Sequence, residues 1–206
     1  MFEDINSIKN LVNNLNKLPS IGEKSALRLV LYLLSADDNY INELITNIKS
    51  LKEKVSYCEQ CNCLTENEDK ICNFCKNTER NQNILCIVEQ PQEVIIIEKN
   101  NIFNGRYFVL KGAIDPLNNI GPDDIDIDKL ISLLKKNEQI KEIIIATNPT
   151  LKGEMTAEYL ESILKDYNIK ITRIGYGMPV GAALDFADAI TLKKSFDSRT
   201  ILKEAK

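Results

Sequence analysis

The sequence predicts a multidomain α/β chain. It begins with a helical N-terminal module and continues into a small four-cysteine finger. A mostly parallel β-sheet flanked by helices follows, and then a C-terminal helical or extended segment. Three observations carry this reading. Apolar residues recur at helical spacing through the first 56 positions, and five of the six cysteines crowd into CEQCNCLTENEDKICNFC at 58–75. From position 84, short β-branched runs alternate with amphipathic helical ones. The implied boundaries are 1–56, 57–80, 81–173 and 174–206.

Each element follows from its own stretch. INSIKNLVNNLNKL sets Ile5, Ile8, Leu11, Val12 and Leu15 on one helical face. LPSIG interrupts it, EKSALRLVLYLL resumes with Leu27, Val30, Leu31 and Leu34, and NELITNIKSLKEKV is a third amphipathic stretch. ILCIVE, RYFVLKG, KEIIIAT and KITRIGY read as buried strands, being short and bounded by turn signals. QEVIIIEKN, DKLISLLKKN and TAEYLESILKDYN lie between them as helices, so the order βαβα implies a parallel sheet with right-handed crossovers.

The cysteines read as a metal site. Cys58-x2-Cys61 and Cys72-x2-Cys75, ten residues apart, let four thiolates converge on one tetrahedral, structural Zn²⁺ per chain. Four protein ligands leave no position for water, so such a site folds a small domain and hydrolyses nothing. Cys63 offers an alternative second ligand. Cys61 is preferred because its spacing matches the other knuckle, which leaves Cys63 a spare thiol. Cys86, inside ILCIV, reads as a buried strand residue.

Composition narrows the function. There is no histidine in the 206 residues, which excludes histidine acid–base catalysis and histidine-ligated metals. The first residues lack a basic, apolar leader, and no apolar run reaches the roughly 18 residues that span a bilayer. A cytoplasmic chain is expected, where thiols stay reduced. The net charge of −4 gives no global sign of nucleic-acid binding, so any DNA contact is local. Residues 1–56 carry seven basic and seven acidic side chains, which makes them the least acidic segment.

Several stretches are candidates for chemistry. In LPSIGEKSALRLV a turn ending at Gly22 opens a helix whose free N–H groups suit a phosphate, with Lys24 and Arg28 on one face as DNA contacts. A solvated helical hairpin explains the same residues more plainly, and no P-loop is present. Glu89 stands at the carboxyl end of the first sheet strand, where open α/β sheets build sites. The third strand ends in Thr147, Asn148 and Thr150, where a metal enzyme would need aspartates, and Glu154 is accompanied by Lys152. A phosphoryl-transfer centre is therefore not expected. In GPDDIDIDKL, Asp126 or Asp128 is read as a helix N-cap and not as a metal ligand. GYGMPVGAALDFAD reads as a loop turned sharply at Gly175, Gly177 and Gly181.

Taken in order, these pieces resemble the bacterial RecR recombination mediator family. LPSIGEKSALRLVLYLL is similar to its helix-hairpin-helix segment and CEQC…CNFC to its zinc finger. ILCIVEQPQEV, GRYFVLKGAIDPLNNIGPDDI and IIIATNPTLKGEMTAEYL are similar to its Toprim domain, and ITRIGYGMPVGAALDFADAITL to its C-terminal region. The resemblance implies a non-enzymatic DNA-repair protein that binds single- and double-stranded DNA. It implies action with RecO, and in some bacteria RecF, to load recombinase onto gaps. It also implies a ring-shaped tetramer, and it places Glu89 and Glu154 on a surface that meets RecO. Four positions depart from the family pattern. Ser20 replaces a glycine and could cap the second helix, Lys152 replaces a glutamate, Lys111 a small or apolar residue, and Tyr176 a histidine. Two rival readings remain: a Toprim nuclease or nucleotidyl transferase using Glu89, and a protein adaptor that never touches DNA.

Overall fold

The computed structural model describes residues 5–175, 177, 178 and 180–200; Tyr176 lies outside the described residues. The chain divides into two compact units between Val55 and Ser56.

The first unit is three helices, α1 (Asn6–Leu15), α2 (Glu23–Ser35) and α3 (Asp38–Lys54). Asp37 caps α3 by accepting from the Asn39 N–H at 2.8 Å. Lys52 and Lys54 fall in the last turn of α3, where cations favour the helix dipole. Only Ala26 and Val30 are fully buried among its described residues. Ile8, Leu11, Leu15, Leu33, Leu44 and Ile48 instead line an open apolar groove of about 520 Å³. Helical periodicity set these faces, but three helices are too few to cover them.

The second unit opens with a two-stranded antiparallel ribbon, β1 (Ser56–Tyr57) and β2 (Leu64–Thr65), and the short helix α4 (Asn73–Lys76). These are too short for a periodic signal, and the sequence reading did not foresee them. The main sheet contains β3 (Asn81–Val88), β4 (Gly105–Val109), β5 (Glu142–Ile145) and β6 (Lys170–Arg173), all parallel in the order β4-β3-β5-β6. Helices α5 (Pro91–Lys99), α6 (Ile127–Lys136) and α7 (Leu151–Leu164) make the crossovers, and α8 (Ala189–Asp197) follows. Leu85, Ile87, Phe108, Leu130, Ile143 and Leu160 form the centre of the core, with Cys86 buried beside them on β3. Among the described residues no helix is long and apolar enough to cross a membrane.

Strand order decides where a site can form. The chain leaves β3 toward β4 on one side and leaves β5 toward β6 on the other. The carboxyl ends of β3 and β5 therefore flank a topological switch point. Edge strand β4 is buried at all five positions because the cysteine loop covers it. The Val109 N–H donates to the Cys61 carbonyl at 2.9 Å, which satisfies an edge group that would otherwise face water.

Two capping expectations are corrected. Ser20 does not cap α2, whose N-cap is Gly22 with no side-chain bond. Ser20 instead holds a left-handed backbone, φ 65°, a conformation that favours glycine. Asp126 occupies the N-cap position of α6 but makes no capping bond, because its own left-handed backbone, φ 53°, turns the carboxylate elsewhere. Helix α7 also starts earlier than its apolar pattern suggested. Thr150 caps it by accepting from the Gly153 N–H at 3.2 Å.

Candidate metal centre and nucleic-acid interface

The ribbon and α4 bring the Sγ atoms of Cys58, Cys61, Cys72 and Cys75 within 4.8 Å of one another. Cys58 and Cys75 are 3.9 Å apart, and Cys61 and Cys72 3.4 Å. A tetrahedral ion holding sulfur at about 2.3 Å would separate its ligands by about 3.8 Å, so this donor set fits one. Backbone geometry pre-forms the knuckles: the Cys58 N–H donates to the Cys63 carbonyl at 2.7 Å, and the Cys72 N–H to Cys58 Sγ at 3.3 Å. Hydrogen bonding from neighbouring thiols pulls Cys58 and Cys72 below the ordinary thiol value and pushes Cys61 and Cys75 above it. Thiols this close cannot all ionise unless a cation neutralises them. All six cysteines are free. Cys63 is buried against Cys61 and Cys72 and stands outside the group of four.

A polar network fastens this loop to the sheet. Asn62, fully buried with φ 62°, donates from Nδ2 to the Val109 carbonyl at 2.8 Å and to Asp126 Oδ2 at 2.9 Å. Its Oδ1 accepts from Lys129 Nζ at 2.5 Å. Asp126 also pairs with Lys111 at 2.8 Å, and that ammonium lies 4.7 Å from the centre of the Tyr57 ring. Lys111 thus joins the sheet to the ribbon.

In the helical unit, residues 16–22 form a tight hairpin. The Leu18 N–H donates to Leu15 O at 3.0 Å and the Ile21 N–H to Leu18 O at 3.2 Å. The first N–H groups of α2 have no intrahelical partner, which makes this end attractive to an anion. Lys24 and Arg28 are exposed one turn apart, and neither has an ion-pair partner among the described residues. Lys17, exposed in the turn itself, adds a cation that the sequence reading did not single out. Glu23 is the opposing charge in the first turn of α2.

At the switch point Glu89 is only 9% exposed. Its two oxygens accept from the Asn148 backbone N–H at 2.7 Å and from Asn148 Nδ2 at 2.9 Å. Glu93 accepts from the same amide at 3.2 Å and from the Gln90 N–H at 2.5 Å, boxing the start of α5. Gly153 lets α7 approach this turn. A β-carbon there would lie 2.0 Å from Asn148 O and 2.7 Å from Glu89 Oε1. Glu154 pairs with Arg173 at 2.5 Å and with Lys194. Lys152 pairs with buried Asp115 and, by that hydrogen bond, holds its carboxyl below the ordinary value. These carboxylates are engaged by amides and cations, and Thr147 and Asn148 supply none at the end of β5. The arrangement is chemically a buttressed turn.

Comparison with protein-family models matches residues 8–51 to "RecR, helix-hairpin-helix", 83–175 to "Toprim domain" and 177–200 to "RecR, C-terminal". The chain is 42% identical over 196 residues to Recombination protein RecR of Desulfatibacillum aliphaticivorans, covering 95% of this chain and 97% of that relative. It is 38% identical over 196 residues to the protein of the same name from Thermobifida fusca, with the same coverage. Against the Clostridium perfringens protein of that name, identity is 40% over 196 residues, again covering 95% and 97%.

Proposed function

The chain belongs to the RecR family of recombination proteins, and on that premise we propose that it is a non-catalytic, zinc-containing DNA-binding adaptor of recombinational repair. The observation that carries the reading is the hairpin at 16–22. It presents helix N–H groups beside Lys24 and Arg28, inside the segment that matches the family's helix-hairpin-helix. Zinc closes the four-thiol site and supplies cross-linking, not chemistry. The chain works in the cytoplasm, where its thiols stay reduced.

Two surfaces carry the rest of the proposal. The apolar groove of the helical unit is the contact through which copies associate toward a ring-shaped tetramer, and a ring multiplies a few cations per subunit around DNA. The turn held by Glu89, with Glu154 beside it, shapes the surface offered to RecO, and to RecF where that partner exists. A non-catalytic role is supported by the engaged state of both glutamates, which leaves neither free to coordinate a divalent cation.

Binding to a DNA oligonucleotide across a salt series tests the proposal. Each phosphate contact contributes roughly 0.7–0.9 to the slope of log affinity against log salt. The double variant Lys24→Ala/Arg28→Ala is therefore expected to bind more weakly, with a slope smaller by about 1.4–1.8. An unchanged slope would remove these two residues from the interface, and a wild-type chain that binds no DNA would favour a pure protein adaptor. Turnover of DNA with Mg²⁺ or Mn²⁺ that Glu89→Gln abolishes would overturn the non-catalytic reading.

A further inference from the structure

Arg106 interrupts an otherwise apolar strand, GRYFV, and the fold buries it to 5% exposure. By contrast, Arg80, also largely buried, has the Glu98 carboxylate at 2.7 Å, and the more exposed Lys111 and Lys152 have Asp126 and Asp115. Arg106 has none among the described residues. Its Nη1 donates to Asn137 Oδ1 at 2.7 Å, its Nε has no partner, and its Nη2 points at Cys75 Sγ at 3.9 Å. A buried guanidinium without a counter-charge is strongly disfavoured, so the missing negative charge must lie where the side chain points.

Lys129 repeats the pattern from α6. Its Nζ donates to Cys58 O at 3.1 Å and to Asn62 Oδ1, both on the cysteine loop and both uncharged. Arg106 and Lys129 line one cleft of about 340 Å³ beside the loop; Glu59 at its rim is exposed and bonded to neither. Four thiolates around a divalent ion carry a net charge of about −2, which two cations neutralise.

We infer that Arg106, seconded by Lys129, is the charge partner of the metal–thiolate centre, so that the sheet domain sets how tightly the finger holds its ion. The inference rests on the zinc reading above. Arg106 is a positioning residue, acting on the ion through Cys75. It differs from Arg80, whose charge is balanced within the sheet domain by Glu98.

Chelator competition on the full-length zinc protein tests this. Arg106→Met is expected to lower zinc affinity about 10- to 100-fold, the range for lost outer-shell partners, and Arg106→Lys to recover part of it. With Co²⁺ in place of zinc, the sulfur-to-metal charge-transfer band should move to lower energy in Arg106→Met and stay in place in Arg106→Lys. Lys129→Gln, at a more exposed site, provides a second variant and should weaken zinc severalfold. Affinity unchanged in both Arg106→Met and Lys129→Gln would overturn the inference. So would weakened binding with an unmoved cobalt band, since that pattern belongs to packing alone. A wild-type chain that binds no divalent ion would instead sink the zinc reading itself.

Discussion

The backbone N–H of Val109 donates to the carbonyl of Cys61, so the second cysteine of the finger is also the hydrogen-bond partner of the outermost sheet strand. Asn62, the next residue, completes the join with its side chain. The finger and the sheet are consequently one folding unit, in keeping with the division of the chain at Val55.

Asn62 is the residue on which that join depends. Asn62→Ala removes hydrogen bonds to Val109 O, Asp126 and Lys129 and leaves buried polar groups unpaired, an expected loss of about 2–4 kcal/mol. Asn62→Gly should recover about 1 kcal/mol of this, because glycine relieves the left-handed backbone without restoring the bonds. Urea unfolding of the three proteins measures both steps.

Ser20 bears a backbone conformation suited to glycine. Ser20→Gly is expected to stabilise the helical unit by about 0.5–1 kcal/mol, after the glycine's own entropy is subtracted. Slower amide exchange in α1 and α2 would register the gain, while amides of the sheet should be unaffected. Exchange unchanged or faster in both helices would mean the turn relaxes at no cost.

Cys63 is separable from its four neighbours. Cys63→Ser is expected to retain one metal ion per chain, whereas Cys58→Ser or Cys72→Ser should lose it or bind it far more weakly. Elemental analysis of the purified proteins distinguishes them.

Glu98 links stability to pH. Burial alone would raise its carboxyl, but the hydrogen bonds from Arg80 and Tyr107 outweigh this and hold it below the ordinary 4.5. A carboxyl lowered by folding contributes fully above the ordinary value, and the contribution is lost as pH falls through the lowered one. Stability should therefore decline below about pH 4.5 more steeply in the wild type than in Glu98→Gln. Metal loss in acid is common to both proteins, so the difference between their stability curves isolates this group.

The sheet was legible because runs such as IIIA and ILCIV are short, β-branched and flanked by turn residues. The metal loop was legible because ligand spacing is a local property. What escaped the sequence depended on partners far along the chain. Asp126 sits where a cap belongs, yet a left-handed backbone hands its carboxylate to Asn62 and Lys111. Glu89 looked like a free acid at a strand end, but Asn148, 59 residues later, engages both oxygens. Arg106 lies within the stretch RYFVLKG read as a strand, and only the fold shows that no carboxylate among the described residues pairs with it. In the helical unit the apolar faces were read correctly, but that most of them would stay open was not, since periodicity does not report what covers a face.

The finger's position in the chain has a consequence for synthesis. All four thiols lie within 18 residues and precede every strand of the sheet. During translation they leave the ribosome before β4 does, so an ion captured early fixes the Cys61 carbonyl before its partner strand exists. A cell starved of metal would make the same chain with that cover missing. β4 would then be a bare edge, open to pairing with other chains.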